Sequence, residues 1–560
     1  MTSPSSRRAA SLVAALAVSV PLLATLATAP ASSAPTAPSA PAAAAGARAS
    51  AAPDTPTIRW RDCGRVDCGR MSVPLDHDEP DGASIDLEVA RVPARKPARR
   101  IGAVFVNPGG PGGGAAGFAP YAARLLGPQV RNRFDVIGID PRGVGGSSGL
   151  LCRGRSNAAY PRVAFPDTRP QRRDWLAFDA TEQRLCAKKR IVDHMSTADT
   201  ARDMDLVRQA LGDEQASFFG ASYGSVLGAT WVSLFPETVR VAVVDGVLDP
   251  VAWTTGRDLP DGTPGSSLPS SGRLGSEVGA RDALVAGLAE CDTAGRSTCR
   301  LAGDALGRWD AVAARLRGDR AAGRRIGLSY SDFVGSTLGM LYGGDVAFIA
   351  DFAFRAERRL ARTGARPLSG EPAETDASLA RTVRQVREQL ARSPFPGPYA
   401  AAPTVTGQRR AGSRVWIDGS FHGVLCSDGL NPTDTGAWVE NAERTRAAGG
   451  DFGPLWSWSS SACAAWPGSG EDAYRGPFTM PGAERLLVVS NRHDPATPLS
   501  GALALQELMP GSRLVTTGET GHVATGTNDC ATSVVRAVLR TAETPAEDVV
   551  CAREREPFTP

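Results

Sequence analysis

Gly220-Ala221-Ser222-Tyr223-Gly224 sets a serine between small residues, after the apolar pair Phe218-Phe219 and before an amphipathic helical pattern from Val226 to Phe235. A G-x-S-x-G turn between strand and helix lifts the serine hydroxyl clear of a sheet. It also leaves a backbone N–H beside it for a developing oxyanion. The glycines fit because so sharp a turn leaves no room for Cβ atoms on its flanks. A second match, Gly145-Gly146-Ser147-Ser148-Gly149, follows the turn Asp140-Pro141-Arg142-Gly143 with no strand running into it, and reads as a loop. The chemistry expected of Ser222 is attack on a carbonyl through a covalent intermediate.

A serine hydroxyl needs a base, and the base needs an orienting acid. His522, in Thr520-Gly521-His522, follows the strand-like run Arg513–Thr516 and is the last of five histidines. Asp494, in Arg492-His493-Asp494-Pro495, follows the run Leu486–Val489 and precedes His522 by 28 residues. That gap fits one helix, near Leu499–Met509, and one strand. Both residues then lie on consecutive loops at the C-terminal edge of a sheet, where open α/β folds place their ligands. His493 would point elsewhere, His422 sits near Cys426, and His77 and His194 precede the nucleophile. Asp494 before Pro495 also suits a helix N-cap, a role compatible with the first. The Tyr223 N–H supplies one oxyanion donor. The run Asn107-Pro108-Gly109-Gly110-Pro111-Gly112-Gly113-Gly114, directly after Val104–Val106, supplies the second, assigned to Gly110 with Gly109 beside it. A phosphate loop would require Gly-Lys-Ser/Thr after these glycines, and none follows.

These residues need a scaffold. Short apolar runs bounded by glycine (103–106, 136–139, 217–219, 241–244) read as strands buried on both faces, with helical patterns such as Thr197–Leu211 between them. The order is α/β with a mainly parallel sheet. After residue 250 a Gly/Pro/Ser-rich stretch leads into helical patterns at Arg281–Asp292, Leu301–Leu316, Val346–Arg362 and Leu379–Leu390. The α/β pattern resumes after Val415. The expected organisation is a first core part at 57–250, a helical cap insertion at 251–415 and a second core part at 416–560.

The chain has 560 residues, 42% hydrophobic and 22% charged, with a net charge of +3. That balance belongs to a globular protein. No basic stripe interleaved with aromatics is present, which argues against a nucleic-acid partner. Arg7-Arg8, the apolar stretch Ala9–Thr28 and Ala29-Pro30-Ala31 before Ser32 read as an export signal over 1–31. Left uncleaved, the stretch would act as a membrane anchor; once it is cleaved, no stable membrane association is expected. Residues 32–56 are low-complexity Ala/Pro/Ser/Thr, a linker or pro-segment. Ten cysteines in an exported chain imply disulfides. Pairing between sequence neighbours gives Cys63/Cys68, Cys152/Cys186, Cys291/Cys299, Cys426/Cys463 and Cys530/Cys551. A zinc site is not expected, because the chain has no C-x-x-C and its histidines are scattered.

The chain resembles the secreted bacterial tripeptidyl aminopeptidases, α/β-hydrolase serine exopeptidases related to the proline iminopeptidases. The resemblance is carried by Val73–Asp76, Asn107–Gly114, Asp140–Gly143, Asp203–Arg208 with Leu211-Gly212, Gly220–Gly228, Phe235-Pro236, Asp245-Gly246, Cys426 with Asp428, Asp494–Pro498 and Gly521-His522. It spans most of residues 57–560, and the insertion carries little of it. It implies an α/β-hydrolase fold with a helical cap, Ser222 as nucleophile, His522 as base and Asp494 as its orienter. It further implies free peptide or protein N-termini as substrates, extracellular action, and no metal or cofactor. The iminopeptidases carry histidine where this chain has Pro108, and residues 256–275 match nothing in the family pattern. An exopeptidase needs an anion for the substrate's α-amino group, and Asp428 is one candidate. The alternatives are an esterase or lipase with the same triad, and a non-catalytic α/β-hydrolase used for binding.

Overall fold

The computed structural model describes residues 57–158, 161, 163–362, 377–391 and 413–558. The expected signal and linker segments lie outside them. The apolar runs form strands as expected. In chain order the strands are β1 (Arg59–Asp62), β2 (Asp67–Pro74), β3 (Ser84–Val92), β4 (Gly102–Asn107), β5 (Phe134–Ile139), β6 (Leu151–Ser156), β7 (Ala216–Ala221), β8 (Val239–Asp245), β9 (Ser413–Asp418), β10 (Leu486–His493), β11 (Arg513–Thr520) and β12 (Val549–Cys551). β4, β5 and β7 are buried along their whole length. That is why they read as continuous apolar runs rather than as an alternation.

Ten strands form one sheet in the order β1-β2-β3-β5-β4-β7-β8-β10-β11-β12. Pairing is antiparallel from β1 through β5 and parallel from β5 to β12. The parallel strands all end at one edge, and the loops after β4, β7, β10 and β11 lie there together. Local signals fix the helices between them. Ser196 and Asp199 form a capping box on Thr197–Ala210, and Asn528 caps Asp529–Thr541.

Residues 55–560 form one compact unit, so the boundaries expected at 250 and 415 fall inside it. The cap helices include Ser276–Thr298, Ala305–Gly318, Tyr330–Gly343, Val346–Arg362 and Ala377–Ala391. Trp309 stacks between Phe333 and Phe452, at 5.1 and 5.8 Å between centroids, and ties the cap to the helix Phe452–Trp458. After Val415, where the α/β pattern is expected to resume, the chain reaches the ten-stranded sheet again at β10. Between β9 and β10 it forms helices Ser420–Asp428, Gly436–Gly449 and Phe452–Trp458, the last two packed on Ser276–Thr298. β9 pairs antiparallel with β6, from the first half of the chain, as a separate two-stranded sheet. All five cysteine pairs are bonded as expected from sequence neighbourhood.

Candidate active site

Ser222 sits at the end of β7 and just before helix Gly224–Leu234, with φ at +60°. A non-glycine residue held in this region stores strain, a recurrent feature of functional turns. The turn leaves no space on its N-terminal flank. A Cβ at Gly220 would lie 2.3 Å from the Gly224 carbonyl oxygen. Ser222 N–H donates to the Asp245 carbonyl at 2.8 Å, which fixes the elbow to the end of β8.

The structure brings His522 and Asp494 together. His522 Nδ1 lies 3.0 Å from each Asp494 carboxylate oxygen, and both side chains are almost wholly buried. Asp494 is itself held by the backbone. Oδ1 accepts from the N–H groups of Ala496 and Thr497, each at 2.9 Å, and Oδ2 accepts from Val523 N–H at 3.3 Å. The helix that follows starts at Leu499 with Pro498 as its N-cap, so the expected N-cap role does not fall on Asp494; its carboxylate holds the turn at Ala496 and Thr497 instead. His522 Nε2 is buried and has no hydrogen-bond partner among the described residues. Thr497 Oγ1 lies 3.2 Å from Nδ1.

The glycine loop after β4 meets the elbow edge to edge. A Cβ on Gly109 would come 2.4 Å from the Ala221 carbonyl, 2.7 Å from Ser222 Cβ and 3.0 Å from the Tyr223 nitrogen. Gly109 N–H is spent on Asn107 Oδ1 at 2.8 Å. Gly110 N–H and Tyr223 N–H have no acceptor among the described residues. This separates the two glycines that the sequence left side by side.

A cavity of about 470 Å³ including its mouth adjoins Ser222, Gly110 and Pro111. Its wall comes from both halves of the chain and from the cap: Trp253, Leu274, Tyr342, Phe421 and Trp456, with Ser271, Ser276 and Ser459 between them. Residues 256–275, unmatched in the sequence, contribute to it through Ser271 and Leu274. Arg273 anchors that loop, with its buried guanidinium donating to several backbone carbonyls, among them Ala252 and Leu430 at 2.9 Å. With no carboxylate beside it, burial pulls this guanidinium down to about 10.

Asp428, expected as the amine anchor, stands behind the wall instead. Oδ1 accepts from Thr197 N–H at 2.7 Å, and Oδ2 accepts from the Thr197 hydroxyl and from Trp253 Nε1 at 2.9 Å. Thr197 Oγ1 in turn lies 2.6 Å from the Tyr223 hydroxyl. Burial pushes the Asp428 carboxyl up to about 6. Its oxygens hold Thr197 and Trp253, and the residue is buried and absent from the described cavity wall. The described cavity wall carries no charged side chain at all.

The rival residues have structural tasks. His493 pairs with Asp282 at 2.6 Å near the surface, and His422 with Glu182 at 2.9 Å. His77 joins Asp203 and the buried Arg142. Ser147, in the second glycine match, accepts from Glu88 N–H. Asp76, His194 and Asp472 bring ligand-type atoms within 4.8 Å of one another, with His194 and Asp472 already 3.6 Å apart. Sequence reading missed Asp245 as a support. Its carboxylate accepts from Ala524 and Thr525 N–H at 2.9 and 2.7 Å and fastens the loop beyond His522. Its place at the end of β8 in Asp245-Gly246 was the available signal.

A mainly parallel sheet with a serine elbow after a central strand, and a His–Asp pair on the loops of two later strands, defines an α/β hydrolase. Residues 102–264 match the α/β-hydrolase fold family and residues 448–551 the TAP-like protein family. The chain is 28% identical over 533 residues to a tripeptidyl aminopeptidase of Streptomyces lividans, covering 89% of this chain and 87% of that one. It is 27% identical over 512 residues to serine protease Hip1 of Mycobacterium tuberculosis, covering 86% and 87%. It is 30% identical over 506 residues to carboxylesterase B of the same organism, covering 87% and 86%. The chain belongs to the tripeptidyl aminopeptidase-like family of α/β hydrolases and is a serine hydrolase of the peptidase type.

Proposed function

We propose that this enzyme is an exported aminopeptidase that releases short peptides, tripeptides foremost, from free N-termini. The reading is supported by the Asp494-held imidazole on the sheet edge that also carries the Ser222 elbow, and by a capped cavity lined by Ser222 and Gly110, with the Gly110 and Tyr223 N–H groups lacking an acceptor among the described residues. Ser222 Oγ attacks the scissile carbonyl and its proton passes to His522 Nε2. Asp494 holds Nδ1–H and stabilises the imidazolium. The oxyanion is received by Gly110 and Tyr223 N–H. The C–N bond then breaks, and Nε2–H protonates the leaving amine. Water, deprotonated by the same nitrogen, hydrolyses the acyl-enzyme and restores Ser222. The cap limits the length of chain that fits on the acyl side. Five disulfides support action outside the cytoplasm. No helix among the described residues is long and apolar enough to cross a membrane.

A carboxylesterase activity is the second reading. It is favoured by the charge-free cavity wall, which offers a substrate ammonium no carboxylate. The test is hydrolysis of chromogenic peptide amides of one to four residues, with free and acetylated N-termini, beside simple esters, with Ser222→Ala as the blank. Preference for the free tripeptide is the expected result. Equal turnover of blocked substrates, or turnover of esters alone, would replace the aminopeptidase reading with an esterase or endopeptidase.

A further inference from the structure

The cap does more than wall the cavity, because one of its helices reaches the loop that carries His522. At the end of helix Tyr330–Gly343, the Tyr342 carbonyl accepts the His522 backbone N–H at 3.0 Å. The Tyr342 ring stands edge-on to the imidazole, 5.0 Å between centroids at 61°. Just past the helix, Gly344 packs so tightly that a Cβ there would lie 2.5 Å from the Thr520 carbonyl. The same Tyr342 lines the cavity with Ser222. One residue therefore touches the substrate space, the backbone of the His522 loop and the His522 ring.

The imidazole needs such a restraint. Asp494 grips Nδ1 alone, and Nε2 makes no hydrogen bond among the described residues. A ring held at one nitrogen keeps freedom to swing about that bond, and the swing moves Nε2 most. An error of about 1 Å at a reacting atom costs on the order of 10²-fold in rate. On the other side, the Gly246 backbone crowds Cε1, where an added Cβ would come within 3.2 Å. The imidazole is thus bordered by the core on one side and by the cap on the other.

We propose that Tyr342 is a positioning residue for the base: its ring, set edge-on against the imidazole, holds the imidazole so that Nε2 meets the Ser222 hydroxyl. The inference rests on the reading of Ser222, His522 and Asp494 as the triad, and it is indifferent to peptide or ester specificity.

The experiment compares Tyr342→Phe, Tyr342→Leu and Tyr342→Ala in the full-length enzyme. Folding is checked by circular dichroism and melting temperature, and turnover is counted per site titrated with a fluorophosphonate. The Leu and Ala variants are expected to lose about 10–10²-fold in kcat and in the rate of Ser222 phosphonylation by a small fluorophosphonate, with KM changed less than about 3-fold. Phe is expected to restore both rates, because it keeps the ring; the backbone carbonyl is common to all three variants. If Ala fails to fold, Leu carries the test at nearly conserved bulk. A change confined to KM would make Tyr342 a mere wall and overturn the proposal, as would undiminished kcat in the Leu variant. A wild-type enzyme unlabelled at Ser222 would remove the triad reading itself. Normal wild-type labelling with unslowed Leu labelling would remove only the role of Tyr342.

Discussion

Asp494→Asn is the sharpest probe of the site, because the surroundings of Asp494 dictate how an amide must sit. Oδ1 accepts two backbone N–H groups, from Ala496 and Thr497 at 2.9 Å, and only an oxygen can stay there. The asparagine NH₂ is then forced into the position of Oδ2, facing His522 Nδ1 and Val523 N–H. Nδ1 can meet an NH₂ only by accepting; the NH₂ thus competes with Oδ1, also 3.0 Å from Nδ1 and already accepting two N–H groups, and favours the tautomer with its proton on Nε2. A protonated Nε2 on a neutral ring has no lone pair for the serine proton. The expected loss is about 10⁴-fold in kcat, equivalent to about 5.5 kcal/mol of transition-state stabilisation. The NH₂ against Val523 N–H leaves a buried donor unsatisfied and costs about 1–3 kcal/mol of fold stability. The assay is kcat and KM on a tripeptide chromogen, with melting temperature measured in parallel. KM should change little, since Asp494 is absent from the described cavity wall. A folded Asp494→Asn enzyme losing less than about 10-fold in kcat would refute the tautomer argument and the assignment of Asp494 with it.

Gly109→Ala must push the glycine loop off the elbow, because φ is +91° and the new Cβ would meet Ala221 and Ser222. Displacing the Gly110 donor should cost about 10²–10³ in kcat, and retention of most activity would move the oxyanion hole elsewhere. Burial raises the carboxyls of Asp179 and Glu277 to about 7 and of Asp428 to about 6, from ordinary values of 3.8, 4.5 and 3.8. The folded state then binds these protons more tightly than the unfolded chain, so their contribution to stability falls as pH rises from about 4 to about 7. The melting temperature should be higher at pH 5 than at pH 7.5, and Asp179→Asn with Glu277→Gln should flatten the difference. A melting temperature that climbs across that range would contradict the burial assigned to these groups.

The elements of the core were legible because each is a local signal. Short apolar runs bounded by glycine read as strands buried on both faces, and the capping box at Ser196 starts its helix in the sequence itself. The elbow was legible for the same reason: the small residues around Ser222 are demanded by the turn that they form. The helical run between β9 and β10 was not legible as part of the cap. Its helical patterns suit either layer, and only their packing on Ser276–Thr298 decides which one they join.

The choice between Gly109 and Gly110 is local yet was not legible, because both are glycines after the same strand. It turns on the Asn107 side chain folding back onto one of the two N–H groups. Asp428 illustrates the opposite limit. The sequence offers a carboxylate near a re-entry into the core, but Thr197 and Trp253 arrive from 231 and 175 residues away to occupy it. Tyr342 meets His522 in the same way, through a helix from the cap seated on a loop of the core. The sequence by itself determined the class of scaffold and marked the proposed nucleophile and base, since their signals reside in neighbouring residues. Which carboxylates, carbonyls and rings complete the site was decided by long-range contacts, which a linear pattern does not encode.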